Sequence, residues 1–287
     1  MSAKEDVSPQ RRQLGEALRR LRLDADLTGT QLANQAGWAQ SKVSRIERGQ
    51  SAVAVADVEL WAQICHAPDD VRGELVELAE AVATEATAWR RALRRGLPRM
   101  QREVGDLEAG ATTLLYYQPV LVPGLLQTPE YARQVATAGA LPDSPDVAGW
   151  IAARMDRQAI LYEPSRRIEL VIGEPALRWR LGPAHTMLAQ LDRIVTVTRL
   201  PNVAVRIIPL SAEVPVWHTH GFTIYDGRDD GPIVAVSTMT AGLTITDPHD
   251  VGRYRAAFDR LRELAVFGDA ARAVLDRAMQ ELLASQP

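Results

Sequence analysis

The stretch LTGTQLANQAGWAQSKVSRIERG, residues 27–49, decides the fold of the N-terminal part of the chain. Thr28 favours the start of a short helix, because its side-chain oxygen can accept a hydrogen bond from an otherwise free backbone N–H group. Gly37 ends that helix, since glycine readily adopts the left-handed turn. The next helix follows with no room for a strand, which predicts a helix-turn-helix. The predicted buried side of the first helix consists of Leu32, Ala33 and Ala36.

The second helix of this pair is predicted over residues 39–48, in the stretch AQSKVSRIERG, and it separates polar from apolar side chains. At roughly 100° per residue, Val43 and Ile46 fall on one side. The opposite arc of roughly 140° carries amide, hydroxyl and guanidinium groups, which match base edges and phosphates. These groups belong to Gln40, Ser41, Ser44, Arg45 and Arg48. Taken alone, the pattern also fits an ordinary amphipathic surface helix, but the preceding helix and turn favour a DNA-recognition helix.

The polar residues of this region each have a predicted role at a DNA duplex. We predict that base edges in the major groove are contacted by Gln40, Ser41, Ser44 and Arg45. We predict that phosphates are held by Thr28, Lys42 and Arg48, together with the backbone amides that open the two helices.

Further helical patterns flank the pair on both sides. Leucine and alanine recur at helical spacing over residues 11–27, which predicts a first helix with arginines on its other sides. Apolar residues after Gly49 predict a fourth helix and part of the core. A fifth helix begins at Pro68 and is predicted to extend to Ala86. The sequence therefore predicts a mainly α domain of five helices over residues 1–88.

Residues 14–66 resemble the five-helix helix-turn-helix domain of phage repressors, the lambda-repressor-like fold, and of xenobiotic-response-element (XRE) regulators. The signature of that class, LT..ELA...G.S.S.VSRIERG, stands here with its spacing intact from Leu27 to Gly49. Gly29 departs from it, because the family usually has Gln there, a residue that touches phosphate and braces the recognition helix. The resemblance implies binding to double-stranded DNA.

Charge is distributed unevenly along the chain. The net charge of −3 argues against a uniformly basic nucleic-acid binder. Residues 1–50 nevertheless carry nine Lys or Arg against six Asp or Glu, whereas residues 53–88 carry one against eight. Six arginines and no acid lie between Arg90 and Arg102. We interpret residues 89–113 as a basic helical linker, whose arginines either follow the DNA backbone or pair with the acidic segment before them.

Hydropathy and cysteine content indicate the cellular compartment and the kinds of cross-link that the protein can have. The sequence has no run of roughly 18 apolar residues and no signal-peptide pattern, so we expect a cytoplasmic protein with no membrane partner. The single cysteine, Cys65, excludes an internal disulfide and a multi-thiolate zinc site. Its apolar neighbours predict a buried structural thiol.

Residues 114–287 mix helical and strand patterns. A loop punctuated by Pro and Gly leads to a helix that begins near Thr128. Further helices are predicted over residues 146–163, 184–200 and, as two closing helices, 248–285. Strands are predicted over residues 166–174, 201–210 and 242–247, with a hairpin over residues 221–238. The patterns predict an α+β domain, in which pocket lining and core packing are both open for Trp150, Trp179 and Trp217.

The same half of the chain resembles the C-terminal domain of WhiJ-like actinobacterial regulators, also described as antitoxin-like transcriptional regulators. The resemblance rests on the blocks YYQPVLVPGLLQTPEYAR, RMDRQAIL and LAQLDRIVTV followed by PNVAVRIIPL. The first block is the most specific of them. The resemblance implies a transcription factor whose C-terminal domain self-associates and binds a ligand or a regulator, often a small protein encoded nearby.

Few sequence features favour an enzyme. His218 and His220 lie two residues apart, as paired metal ligands do in an extended segment. A third ligand would come from His249, Asp226 or Asp247, and a metal-dependent hydrolase is therefore a lesser alternative. A phosphate-binding loop and a nucleophile elbow are both absent from the sequence. We expect no enzymatic activity, no cofactor and no metal.

Together these patterns predict a sequence-specific DNA-binding transcriptional regulator. One helix-turn-helix domain offers little surface for strong selectivity, so we expect a homodimer on a near-palindromic site with half-sites about one helical turn apart. The alternative is an antitoxin-like protein-interaction module with little DNA binding, which Gly29 and the net negative charge support.

Overall fold

A computed structural model of the protein describes residues 9–51, 53–88, 97–138, 147–216, 219–237 and 241–284. Contacts between Cα atoms divide the chain into two units. The N-terminal unit comprises Met1–Glu85 and Thr244–Val251, and the C-terminal unit comprises Ala86–Leu243 and Gly252–Pro287. Within the described ranges, every helix is too short or too polar to cross a membrane.

Helices dominate the described part of residues 9–88. They are α1 (Pro9–Asp24), α2 (Gly29–Ala36), α3 (Gln40–Glu47), α4 (Val55–Ile64) and α5 (Asp69–Ala83). This arrangement confirms the predicted helical N-terminal region with its helix-turn-helix.

Two helix ends differ from the prediction. Helix α1 stops at Asp24 instead of continuing to residue 27, because Asp26 adopts a left-handed conformation with a φ of 56°. Helix α5 ends at Ala83, and Thr84–Ala88 form the short strand β1. The β-branched threonines of this TEATA segment fit a strand better than a helix interior.

The N-terminal helices enclose one apolar core. Trp61 is its largest fully buried side chain, and its ring centroid lies 6.1 Å from that of Trp38. Cys65 is buried, as predicted. The core also contains Leu14, Leu18, Leu32, Ala33, Val43, Ile46, Val53, Val58, Leu75, Ala79 and Val82.

The described part of residues 97–284 combines helices with a mixed sheet. The helices are α6 (Leu97–Gly110), α7 (Pro129–Ala138), α8 (Val147–Arg157), the one-turn α9 (Pro175–Arg178), α10 (Ala184–Val197), α11 (Pro248–Leu264) and α12 (Asp269–Ala284). The strands are β2 (Thr113–Gln118), β3 (Arg167–Gly173), β4 (Val203–Ile208), β5 (Phe222–Asp226), β6 (Ile233–Ser237) and β7 (Ala241–Ile245). Short 3₁₀ helices span Gly124–Leu126 and Gln158–Tyr162.

In the described part of the C-terminal region, strands β2 to β7 follow the order β7-β6-β5-β2-β3-β4. Strand β3 runs parallel to β2 and β4, whereas β5 runs antiparallel to β2 and β6. The hairpin of β5 and β6 lies where the turn residues predicted it. With the helices around it, this sheet confirms the α+β prediction for the C-terminal domain.

Strand β2 lies where the sequence predicted the start of a loop, so that part of the prediction is wrong. Its segment TLLYYQ pairs with β3 on one side and β5 on the other, at the interior of the sheet. Leu114 to Tyr117 are all buried, so the strand shows a continuous apolar run without the alternation that identifies a half-exposed strand. The prolines and glycine immediately after it fit a loop and conceal the strand in the sequence.

Helix α6 occupies the second half of the segment that we interpret from sequence as a linker, residues 89–113. It packs on α8, and its Gln101 and Glu108 are buried. Leu97–Gly110 therefore form part of the C-terminal unit. Residues 89–96, with Arg90, Arg91, Arg94 and Arg95, lie outside the described residues.

Candidate nucleic-acid interface

Helix α2 begins with a complete capping box. The backbone N–H of Gln31 donates to Thr28 Oγ1 over 3.2 Å, and Gln31 Oε1 accepts from the Thr28 backbone N–H over 2.8 Å. Thr28 is exposed, so its side chain is accessible for the predicted phosphate contact. The Thr28 hydroxyl also fixes the start of α2.

The turn between α2 and α3 is closed by backbone hydrogen bonds. Gly37 has a φ of 71°, a left-handed conformation that costs glycine little. Its N–H donates to Asn34 O, and the Trp38 N–H donates to Ala33 O over 2.8 Å. This pair of bonds forms a Schellman motif and sets the angle between the two helices.

Helix α3 lies with its apolar side in the core and its polar side at the surface. Val43 and Ile46 are 1% and 2% exposed, respectively. The side chains of the opposite arc are exposed in Gln40, Ser41, Arg45 and Arg48 and half-buried in Ser44. The structure thus brings the predicted base-contacting residues together on one accessible surface of α3, which we call the α3 polar face.

The beginning of α3 has no side-chain cap. Ala39 occupies the N-cap position with extended backbone angles, and its methyl group cannot accept a hydrogen bond. The first turn of α3 therefore has no side-chain acceptor at its N-cap. The resemblance places a serine at this position of the signature, where this chain has Ala39.

The end of α3 is held tightly against α1. A Cβ at Gly15 would lie 2.6 Å from the Ile46 carbonyl oxygen and 2.8 Å from that of Glu47, so only glycine permits this approach of the two helices. Arg22 of α1 also forms an ion pair with Glu47. Sequence reasoning missed all these contacts, because a helical pattern does not link residues 25 or more positions apart.

Lys42 does not lie on the α3 polar face. Its Nζ is 2.9 Å from Oδ2 of Asp57 in α4 and 4.1 Å from the centroid of the Trp38 ring. The side chains of Lys42 and Asp57 are 34% and 26% exposed. The predicted phosphate ligand is therefore engaged by a neighbouring helix of its own domain.

Gly29 lies at the first turn of α2, beside α3. A Cβ at this position would have Val43 Cγ1 at 3.7 Å and Gln40 Nε2 at 3.8 Å as its nearest neighbours. A longer side chain at residue 29 would consequently contact α3, as the resemblance implies. In this chain Gly29 makes no such side-chain contact, and α3 is held by its contacts with α1 and α4.

The histidines of the hydrolase alternative do not form a metal site in the described part of the chain. His218 lies outside the described residues, and His220 Nε2 lies 3.3 Å from the Tyr254 hydroxyl. Asp226 is paired with Arg255, and Asp247 accepts the backbone N–H groups that open α11. Among the residues described, we find no group of three His, Cys, Asp or Glu side chains that could hold a metal ion.

A buried polar cluster joins the most specific sequence blocks of the C-terminal unit. Arg157 of the RMDRQ block donates to both carboxylate oxygens of Glu108 and to Gln101. Gln127 of the PGLLQ block accepts from Arg154. These bonds attach the 3₁₀ turn and α6 to α8, which gives the two blocks a structural reason to occur together.

A tyrosine hydroxyl completes this cluster. Tyr116 in β2 donates to Glu108 Oε1 over 2.6 Å. Burial, together with the Glu108 carboxylate, raises the pKa of Tyr116 well above its usual value, so the hydroxyl keeps its proton and remains a donor. Glu108, Arg157 and Tyr116 therefore form a buried network in which these side chains hydrogen-bond to one another.

The tryptophans take different environments. Trp150 is buried, and the Arg154 guanidinium lies 3.9 Å above its ring, so this residue packs in the core. Trp179 is largely exposed, and Trp217 lies outside the described residues.

The capped α2, the glycine turn and the exposed polar face of α3 define a helix-turn-helix domain, a class of DNA-binding fold. Residues 13–75 match a family described as a helix-turn-helix domain. Residues 101–277 match a family described as a domain of unknown function (DUF5753), and since this match covers more than half of the chain, the chain belongs to that family. No curated protein matches the chain.

Proposed function

We propose that the protein is a sequence-specific transcriptional regulator that reads the DNA major groove with α3. One observation carries the proposal: the apolar residues Val43 and Ile46 are buried while the α3 polar face is accessible. An exposed helix that carries amide, hydroxyl and guanidinium groups can hydrogen-bond to base edges in the major groove. The match of residues 13–75 to a helix-turn-helix family supports the same function.

Within this proposal, the residues of the interface divide into two groups. Base edges are contacted by Gln40, Ser41, Ser44 and Arg45. Phosphates are contacted by the exposed Thr28 and Arg48 and by the backbone amides at the starts of α2 and α3. Phosphate contacts position the domain, whereas base contacts select the sequence.

The C-terminal domain supplies self-association and control in this proposal. A homodimer would place two α3 helices on half-sites about one helical turn apart. The resemblance to WhiJ-like, antitoxin-like regulators supports an actinobacterial, XRE-type regulator whose C-terminal domain responds to a small protein or a small-molecule ligand. We propose a cytoplasmic location, where the chromosome of such a cell lies, and no catalytic activity, cofactor or metal.

Selection of a DNA site from random sequences tests this function. The full chain is incubated with a library of random-sequence duplexes, and bound duplexes are amplified and sequenced through several rounds. Affinities for an enriched duplex and for a scrambled duplex of the same composition are then measured by fluorescence anisotropy at two salt concentrations. We expect the enriched duplex to bind about 10³-fold more tightly or better, and both affinities to fall with salt.

Equal affinities for the two duplexes would refute the proposal. Undetectable binding to either duplex would favour the protein-interaction alternative, in which the helix-turn-helix serves as an assembly surface. Elemental analysis of the same preparation addresses the hydrolase alternative, which requires a stoichiometric metal at His218 and His220.

A further inference from the structure

Two charged residues flank the buried side of α3. At roughly 100° per residue, Lys42 and Glu47 each lie roughly 70° from the middle of the side defined by Val43 and Ile46, in opposite directions. Glu47 meets Arg22 of α1, and Lys42 meets Asp57 of α4. Each edge of the recognition helix is therefore linked by an ion pair to a different helix of the same domain.

The link at Lys42 has an electrostatic reason. Lys42 is in the first turn of α3, where the helix dipole disfavours a positive charge. Asp57 is in the first turn of α4, where the dipole favours a negative charge. The pair compensates the lysine, and the Trp38 ring at 4.1 Å holds the ammonium group from a second direction.

The N-terminal half of α3 has few other attachments on its surface side. Ala39 provides no side-chain cap, and Gly29 provides no side chain that could lie against Gln40. We propose that Lys42 is a positioning residue for DNA reading: through Asp57 it fixes the start of α3 relative to α4, and it does not neutralise a DNA phosphate. The inference deepens the proposed function and rests on it.

If Lys42 contacted a DNA phosphate directly, replacement of Lys42 or Asp57 would have different effects on DNA affinity. If Lys42 neutralised a phosphate, its removal would weaken binding to all sequences and reduce the slope of log K against log salt by about 0.9. Removal of Asp57 would then free Lys42, add one positive charge to the domain, and strengthen binding to every duplex.

The test uses the full chain with an enriched duplex and a scrambled duplex, selected by the wild type from a random library. The variants are Lys42→Met, Asp57→Asn and the double change, with Lys42→Arg as the conservative replacement that keeps the pair. Asp69→Asn is the matched control, because it removes one acid from the N-terminal turn of α5, where Asp69 is exposed. Thermal unfolding confirms that each variant is folded.

We expect Lys42→Met and Asp57→Asn each to lower the ratio of enriched to scrambled affinity about two- to fivefold, the range of a partly exposed ion pair. The double variant should be no worse than either single change, because both remove the same link. Lys42→Arg and Asp69→Asn should leave the ratio unchanged. The salt slope of Lys42→Met should equal that of the wild type.

Two results would overturn the inference while leaving the proposed function intact. One is a loss of salt slope in Lys42→Met with equal losses on both duplexes. The other is tighter binding of Asp57→Asn to both duplexes, with effects of the two changes that simply add. If the wild type enriches no sequence, the proposed function itself fails and the positioning role fails with it.

Discussion

Arg22 in α1 and Glu47 at the end of α3 form a bidentate ion pair that is almost completely buried. Arg22 Nε lies 2.5 Å from Glu47 Oε1, and Nη2 lies 3.1 Å from Oε2. The remaining nitrogen, Nη1, donates to the Leu27 carbonyl oxygen over 2.6 Å. One arginine therefore connects α1, the residue before the N-cap of α2, and α3.

Removal of one partner of this pair should destabilise the N-terminal unit strongly. Arg22→Met leaves the Glu47 carboxylate, only 12% exposed, without its counter-charge, and we expect a loss of about 3 kcal/mol. Hydrogen exchange of the α3 amides in the full chain measures the loss. Arg72→Met is the matched control, because its pair with Asp69 is exposed and should contribute little. Similar effects of the two changes would contradict the importance of the buried pair.

Gly15 and Gly73 provide a matched pair of helical glycines for a test of packing. Gly15→Ala would place a Cβ 2.6 Å from the Ile46 carbonyl oxygen, so we expect a net loss of about 1–3 kcal/mol as α3 is displaced. A Cβ from Gly73→Ala in α5 would meet no heavy atom within 4 Å beyond the neighbouring backbone of its own helix, and the change should gain about 0.5–1 kcal/mol from helix propensity. Hydrogen exchange in α3 and α5 measures both. A gain at both positions would show that α1 and α3 can separate without cost.

Cys65 should behave as a protected thiol in the folded chain. Burial raises its pKa to about 11, and the nearby Arg22 charge offsets only part of that rise. An unfolded cysteine has a pKa of about 8.5, so as pH rises from about 8.5 to 11 the unfolded state loses a proton that the folded state keeps. The contribution of this thiol to folding stability is therefore complete below about pH 8.5 and is lost as the pH rises to about 11.

The sole cysteine makes this prediction simple to measure. Iodoacetamide labelling, followed by mass spectrometry from pH 7 to pH 10, should be much slower in the folded chain than in urea. Equal rates in the two conditions would mean that α4 does not bury the thiol.

Arg45 and Arg48 should respond differently to replacement by alanine. Arg45→Ala is expected to cost about 1–3 kcal/mol on an enriched duplex and to relax the preference at one base position. Arg48→Ala is expected to weaken binding to all sequences and to lower the salt slope by about 0.9. Titrations on enriched and scrambled duplexes separate the two cases. Equal losses on both duplexes for Arg45→Ala would remove it from the base-reading group.

The local chemistry of the sequence predicted the helix-turn-helix well. The cap at Thr28, the left-handed Gly37 and the burial of Val43 and Ile46 follow from residue type and helical spacing alone. The ion pairs that fix α3 could not be predicted, since each joins residues far apart in sequence. Angular position on the helix did contain a signal for Lys42, because it lies outside the arc of the α3 polar face.

The C-terminal unit shows where sequence patterns lose information. Strands β3 and β4 and the β5–β6 hairpin were predictable from apolar runs and turn residues. Strand β2 was not, because a strand buried on both faces lacks alternation and prolines follow it directly. The cluster of Glu108, Arg157 and Gln127 depends on how α6, α8 and a 3₁₀ turn meet, which no local pattern specifies.

Methylation interference on an enriched duplex tests the central claim most directly, because it reports which groove α3 enters. Methylation of guanine N7 obstructs the major groove, whereas methylation of adenine N3 obstructs the minor groove. We predict that N7 methylation blocks binding of the full chain at two clusters of positions about one helical turn apart. Interference confined to adenine N3, or absent at every base of a duplex that the protein binds, would contradict the claim.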